Sequence, residues 1–202
     1  MTRTRFFIAL CLILFAALPE SLIAQNEYRD RMQRPEAIMD TVGIKPGMVI
    51  GEAGAGDGYL TFWLARRVGE TGKIYANDIN EKSLRKIEDR SKRERISNIR
   101  TVVGDVDDPL FPVKDLDLVI MLMAFHDFEQ PVQWLNNLTH YLKSGARLVI
   151  VDKDPDRWGQ GHGHFMTKNR LLETVQKSDF AIERIETFLE QDNIYIFSRK
   201  NK

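Results

Sequence analysis

The sequence predicts an α/β fold with a mainly parallel sheet covered by helices on both faces. Apolar runs of strand length alternate with stretches of helical pattern along most of the chain, which is typical of β-α-β units. Residues 119–123 and 148–151 are apolar without alternation, as expected for central parallel strands buried on both faces. A glycine-rich turn at 54–58 separates the first strand from a helix. Open sheets of this kind bind ligands at the carboxyl ends of their strands.

The predicted elements follow one another in regular order. A first strand begins at Val49 and runs into Glu52, and later strands are predicted at 73–78, 99–105, 116–123, 145–152, 181–188 and 193–199. Helices are predicted at 35–42, 59–68, 81–94, 131–142 and 167–178. The polar residues and glycine at 143–145 predict the end of the fourth of these helices. Residues 190–193 break the last two strands into a closing hairpin.

The turn after the first strand carries alternating glycines and two acids. Gly54, Gly56 and Gly58 allow the backbone to turn sharply and to approach a ligand closely. Their spacing differs from the dinucleotide fingerprint, which directs a helix N-terminus at a pyrophosphate. Glu52 and Asp57 would repel a pyrophosphate and attract an ammonium or a sulfonium group. The charges therefore favour a cationic adenosine ligand over NAD.

The pattern Glu-x-Gly-x-Gly-x-Gly resembles motif I of class I S-adenosylmethionine-dependent methyltransferases, and similarity by motif order covers roughly 34–200. Asp78 ends the second strand about twenty residues after the glycines, where the family places the acid that binds the ribose hydroxyls. Asp105 ends the third strand and matches the acid that accepts a hydrogen bond from the adenine amino group. The resemblance implies S-adenosylmethionine as cofactor, bound by Glu52, the three glycines and these two acids. It also implies a Rossmann-like, seven-stranded sheet whose antiparallel last strand lies beside the fifth.

The family places the methyl acceptor beyond the carboxyl ends of strands four and five. His126 is the first candidate there for a base or an acceptor-orienting group, with Asp127 as its possible partner. The alternative is that His126 caps the next helix or makes a hydrogen bond within its loop. Residues 159–165 are glycine-rich and are predicted to form a lid, with Trp158 and Phe165 as apolar walls. His164 is a further candidate for contact with the acceptor.

A metal site is not expected in the glycine-rich segment 159–165 or at the aspartates that precede it. His162 and His164 could ligate a metal together with Asp152, Asp154 or Asp156. A closed transition-metal site, however, needs three or four ordered ligands, and the aspartates are equally typical of a solvated turn. The sequence therefore predicts no metal.

The N-terminus predicts export. Arg3 and Arg5 precede the apolar run 6–18, and a processing region extends to Ala24, so residues 1–24 are interpreted as a secretory signal peptide. Leu22 occupies a position where a small residue is preferred, which leaves an uncleaved membrane anchor as the alternative. Periplasmic or secreted localisation is expected, or membrane anchoring if the segment is retained. Residues 25–33 are interpreted as a linker, and 34–202 as a single methyltransferase domain.

The composition restricts the partners. Its 29 basic and 29 acidic residues balance, and no basic stripe with interleaved aromatics is present, so a nucleic-acid substrate is not expected. The only cysteine, Cys11, lies in the predicted leader, so the domain has no disulfide. The chain leaves no room for a separate domain that would recognise a macromolecule, and a small-molecule acceptor is therefore predicted.

The sequence leaves two further functions open. S-adenosylmethionine is made in the cytosol, so an exported protein of this kind could instead bind an adenosyl ligand or a metabolite without turnover. An NAD-dependent oxidoreductase is the less favoured alternative, because the loop lacks the dinucleotide spacing. The sequence does not identify the acceptor, its reacting atom or the oligomeric state.

Overall fold

The computed structural model of the chain describes residues 20–158 and 163–200. Within these residues a seven-stranded sheet has the order β3-β2-β1-β4-β5-β7-β6. The strands are β1 Val49–Ala53, β2 Lys73–Asp78, β3 Ile99–Val103, β4 Leu116–Leu122, β5 Leu142–Lys153, β6 Phe180–Glu186 and β7 Asp192–Arg199. The pairs from β3 across to β5 are parallel, whereas β7 is antiparallel to both β5 and β6. The predicted fold class, including an antiparallel last strand beside the fifth, is confirmed.

The helices connect these strands. They are α1 Glu20–Gln33, α2 Pro35–Val42, α3 Tyr59–Val68, α4 Glu81–Glu94, α5 Pro131–Leu138, α6 Pro155–Trp158 and α7 Lys168–Gln176, with short 3₁₀ turns at Phe125–Asp127 and Thr139–Tyr141. The bounds of α2, α3 and α4 are those that the sequence predicts. Local signals explain this agreement: Pro35 starts α2, Gly58 caps α3, and the Asn80 side chain accepts hydrogen bonds from two backbone N–H groups of α4.

The two central strands explain the apolar runs in the sequence. In β4, Val119 and Met121 pack in one core cluster while Leu118 and Ile120 pack in a second cluster. Successive side chains of a strand point to opposite faces, so both faces of the sheet are covered at this point. β4 is therefore held in place by packing on both of its faces.

Two predicted boundaries differ from the structure at the same place. The helix predicted at 131–142 ends at Leu138, and β5 begins at Leu142 rather than at residue 145. Leu142 pairs with Leu116 in the parallel ladder and is almost fully buried. This long-range pairing outweighs the local helical pattern, which is why the sequence did not indicate it.

The stretch 25–33, interpreted from the sequence as a linker, is helical and forms most of α1. The Arg29 guanidinium lies 3.7 Å over the Tyr59 ring, and the Tyr59 hydroxyl donates a 2.7 Å hydrogen bond to Asp30. The segment is thus packed against the start of α3 by polar and aromatic contacts. Such contacts leave no apolar periodicity in the sequence from which a helix could be predicted.

Part of the predicted N-terminal leader and of the predicted lid lies outside the described residues. Residues 1–19 of the predicted signal peptide, including Cys11, and residues 159–162 of the lid are not described. Among the helices that the structure does describe, none combines the length and apolar character that a membrane crossing requires.

Candidate functional site

The glycine loop is held in a conformation that larger residues disfavour. Gly54 and Gly58 both have positive φ angles, 69° and 92°. A Cβ atom at Gly54 would lie 2.3 Å from the Cβ of Ala124, and one at Gly58 would lie 2.9 Å from the Ile87 side chain. Both the backbone conformation and the close approach of Ala124, after β4, and of Ile87, in α4, therefore require glycine at these positions.

Asp78 connects the glycine loop to the neighbouring strand. The Gly56 N–H donates a 2.8 Å hydrogen bond to one carboxylate oxygen of Asp78, and the Asn80 N–H donates one of 2.8 Å to the other. The loop is thus tied to the end of β2. Each carboxylate oxygen keeps a lone pair for a further donor, so binding of ribose hydroxyls remains a prediction that this geometry permits.

A cavity of about 250 Å³ lies beside the loop, at the carboxyl edge of the sheet. Three residues predicted for cofactor binding, Gly54, Asp78 and Asp105, lie on its wall together with Asp127 from the acceptor side. Of the residues that line it, four are acidic and none is basic; the fourth acid is Glu129. Such a wall attracts a cation and repels a pyrophosphate.

The apolar part of this wall consists of Ile79, Val106, Met123, Ala124, Phe128 and Trp134. Of these, only Ala124 and Phe128 belong to the segment after strand four where the sequence predicts the acceptor side. Ile79 directly follows Asp78 at the end of β2, and Val106 directly follows Asp105, two residues beyond β3. Their position next to a predicted ligand contact was the available signal. Ile79 is 60% exposed, so its side chain is accessible to a ligand in the cavity.

Glu52 lies beneath the loop and not on the cavity wall. Its side chain is buried, and the Thr61 hydroxyl of α3 donates a 2.5 Å hydrogen bond to it. Burial raises the pKa of Glu52 to about 8, although the Thr61 hydrogen bond and the Arg29 charge oppose the shift. Its predicted contact with the cofactor stays a prediction. Its observed contact holds α3 against the end of β1.

His126 is oriented by Asp152, not by Asp127 as the sequence suggested. Its Nδ1 lies 2.8 and 2.9 Å from the two carboxylate oxygens of Asp152, and its backbone N–H donates a 3.2 Å hydrogen bond to the same group. Both side chains are buried, at 4% and 2% exposure. Asp127 approaches Nε2 of His126 only to 3.6 Å, beyond a hydrogen bond. For Asp152, at the end of β5, the sequence indicates only a role as a metal ligand.

The charge state of His126 follows from the same contacts. Burial opposes protonation of the ring, but the hydrogen bond and charge of Asp152, together with the charge of Asp127, outweigh it and raise the pKa of His126. Because the Asp152 carboxylate accepts a hydrogen bond from the Nδ1–H of His126, the Nε2 atom is the one left for other partners. Nε2 lies on the side of Asp127 and His164.

His164 completes the group. Its Nε2 lies 3.3 Å from a carboxylate oxygen of Asp127, and its ring centroid is 4.9 Å from that of His126. Phe165 also contacts the His126 ring, edge-on at 4.6 Å. We call His126, Asp127 and His164 the histidine cluster. The structure thus brings together all three residues predicted for the acceptor side, whereas the Trp158 side chain and His162 lie outside the described part of the chain.

A seven-stranded sheet of this order, with a glycine loop and acids at one edge, defines a Rossmann-like α/β protein. The chain belongs to a family of methyltransferase domains, whose sequence model matches residues 44–201.

Known proteins support the same class. The ubiquinone/menaquinone biosynthesis C-methyltransferase UbiE of Hydrogenovibrio crunogenus is 31% identical over 111 residues, which are 54% of this chain and 44% of that protein. The chain therefore spans about half the length of the curated relatives it matches. A solved S-adenosylmethionine-dependent methyltransferase from Aquifex aeolicus has a TM-score of 0.76 at 21% identity, covering 90% of this chain and 99% of that one. Another, from Mesorhizobium loti, has a TM-score of 0.65 at 17% identity, covering 81% and 96%.

Replacing Gly54 by alanine should close the cavity at the loop. Because the new Cβ would lie 2.3 Å from that of Ala124, we expect the affinity for S-adenosylmethionine to fall at least about tenfold, or about 1.4 kcal/mol, by calorimetry. Gly145→Ala is the matched control, since Gly145 has a φ of 76° and open space around its missing side chain. That variant should lose stability without losing affinity. Wild-type binding by Gly54→Ala would contradict this account of the loop.

Replacing Glu52 by glutamine should change how stability depends on pH. The folded protein keeps the Glu52 proton up to about pH 8, whereas the unfolded chain releases it near pH 4.5, so the stabilisation disappears as pH rises through this window. Relative to wild type, Glu52→Gln should gain stability as pH rises from 5 to 9. The expected gain is a few kcal/mol, at about 1.4 kcal/mol per pKa unit. Urea unfolding at each pH measures the difference, and Glu70→Gln, at an exposed position, controls for the loss of one charge. A pH-independent difference would contradict the assignment.

Proposed function

We propose that this enzyme transfers the methyl group of S-adenosylmethionine to a small-molecule acceptor held between the acidic cavity and the histidine cluster. The observation that carries the proposal is the position of Asp127, which lies on the cavity wall and within 3.3 Å of His164. The cofactor side and the acceptor side therefore meet at one carboxylate. A methyl group bound in the cavity would face the cluster.

The cofactor would be held by contacts that the cavity offers. Asp78 and Asp105 are the candidates for the ribose hydroxyls and the adenine amino group, as the family resemblance implies. The exposed Ile79 and the adjacent Val106 offer apolar surface for the adenine ring. The acidic wall suits the sulfonium and ammonium charges of this cofactor, and this supports S-adenosylmethionine over NAD.

Methyl transfer requires few groups from the protein. A lone pair of the acceptor forms a bond to the methyl carbon while the carbon–sulfur bond breaks, and the sulfur leaves as a neutral thioether. The protein contributes alignment and, for an acceptor that carries a proton, assistance in its removal. We assign both tasks to the histidine cluster, in which His126 is fixed by Asp152 with Nε2 directed toward Asp127 and His164.

The lining residues suggest which acceptors to test first. Phe128 and Trp134 lie on the cavity wall with their rings edge-on, at a centroid distance of 5.1 Å. Aromatic walls favour a flat or apolar acceptor. The curated relatives are named for ubiquinone and menaquinone biosynthesis, so phenolic and quinol-type compounds come first in a panel. A nucleic acid is not proposed, because the chain has no excess of basic residues.

Separate variants should distinguish residues that bind the cofactor from residues that assist methyl transfer. Asp105→Ala should weaken S-adenosylmethionine and its demethylated product alike, about tenfold or more by calorimetry, because both contain adenine. His126→Ala should keep product affinity within about twofold, a sign of correct folding, yet lower transfer of a labelled methyl group about a hundredfold.

Asp107→Ala and His140→Ala are the matched controls, since neither side chain lies on the cavity wall. Unimpaired transfer by His126→Ala across the whole acceptor panel would remove the cluster from the mechanism. Tight cofactor binding with no transfer to any small molecule would oppose a small-molecule acceptor.

We also propose that the protein is exported to the periplasm, or secreted, with residues 1–24 as signal peptide and membrane anchoring as the alternative. Arg3 and Arg5 before the apolar run 6–18 support this proposal. The contacts of Arg29 and Asp30 with Tyr59 lie after the proposed cleavage position, so a mature chain would keep them. An exported enzyme would require delivery of its cofactor from the cytosol.

Fractionation of a Gram-negative host that produces the full chain tests export. We expect a mature chain that begins at Gln25 in the periplasmic fraction, identified by mass spectrometry of the N-terminus. An intact chain in the membrane fraction would support the anchor instead. Leu14→Arg is the matched variant, because a charge in the apolar run should retain the protein in the cytosol. An intact wild-type chain in the cytosol would contradict export.

A further inference from the structure

The histidine cluster has the donor atoms of a metal site. One ligand atom from each of His126, Asp127 and His164 lies within 4.8 Å of the others. Nε2 of His126 lies 3.6 Å from Oδ2 of Asp127, and Nε2 of His164 lies 3.3 Å from Oδ1 of the same carboxylate. A tetrahedral zinc ion with bonds of about 2.0–2.1 Å separates its ligand atoms by about 3.3–3.4 Å. The three ligand atoms lie within 4.8 Å of one another, so the exposed side chains of Asp127 and His164 would move toward His126 to hold an ion.

The orientation of His126 is a second, independent observation. Metal-binding histidines almost always donate their other ring N–H to a carboxylate or a carbonyl, which fixes the ring and leaves the ligating nitrogen free. Asp152, at 1% exposure, does this for His126 through Nδ1. An exposed ion pair between His164 and Asp127 alone would not require this orientation of His126. It would contribute only about 0–1 kcal/mol to the stability of the fold.

We propose that His126, Asp127 and His164 bind a divalent zinc ion, with its fourth position open toward the cavity. Two imidazoles and one carboxylate form a donor set that suits zinc, and three protein ligands with an open position are typical of catalytic rather than structural sites. Asp127 and His164 are 61% and 65% exposed, so the site lies at the rim where a small molecule can reach it.

The ion would act on the methyl acceptor, and this part of the inference rests on the proposed function. An acceptor hydroxyl or thiol bound at the open position would lose its proton to water more readily, because the ion stabilises the resulting anion. That anion would then attack the methyl carbon as the carbon–sulfur bond breaks. In this form of the enzyme, His126 acts as a ligand, and the ion assists the removal of the proton.

Zinc binding can be measured on the full-length protein without cofactor or acceptor. After treatment with a chelator and dialysis, titration with zinc chloride should show about one ion per chain by calorimetry and by elemental analysis. His164→Ala and Asp127→Asn change exposed side chains, so both variants should fold, and each should weaken zinc binding at least about tenfold. His140→Ala, at an exposed position away from the cluster, should bind zinc like the wild type.

Replacement of zinc by cobalt(II) gives a visible absorption that depends on direct coordination of the ion by these residues. The wild type should show the visible absorption of four-coordinate cobalt, and His164→Ala should lose it. The inference is overturned if the wild type binds no zinc, or if His164→Ala and Asp127→Asn bind it as the wild type does. Because these measurements need no methyl transfer, their failure is separate from failure of the proposed function.

Discussion

Parallel pairing of the central strands is the constraint on which the rest of the structure depends. β1 pairs with β2 and β4, and β4 pairs with β5, always in parallel. The carboxyl ends of four strands therefore meet at one edge, where groups remote in sequence become neighbours. Gly56 bonds to Asp78 there, and His126 bonds to Asp152. Because the core covers both faces of these strands, the site rests on a rigid frame.

Charge is distributed along this edge in a way that fits its chemistry. The described cavity wall carries four acids, so it favours a cationic cofactor. The buried carboxyl of Glu52 lies behind the glycine loop, where loss of water raises its pKa to about 8. The carboxylate of Asp152, in contrast, lies 2.8 Å from Nδ1 of the His126 imidazole, which can balance its negative charge when protonated. Two buried acids at the ends of β1 and β5 are thus stabilised in different ways.

Much of the fold and the cofactor side could be predicted because the signals were local. Gly58 and Asn80 mark the starts of α3 and α4, and apolar runs mark β4 and β5. Asp78 and Asp105 were found because each ends a predicted strand. The helical nature of 25–33 could not be predicted, since its contacts are polar and are made with Tyr59, far along the chain.

The sequence alone determined the class of fold, the glycine loop and the acids at the strand ends, because each depends on the order of residues within one β-α unit. Only the tertiary structure decided that Asp152 and not Asp127 orients His126, and that His164 joins them. The contact between His126 and Asp152 joins residues 26 positions apart, and its geometry depends on how β4 and β5 pair. Sequence spacing contains no information on a distance that strand pairing sets.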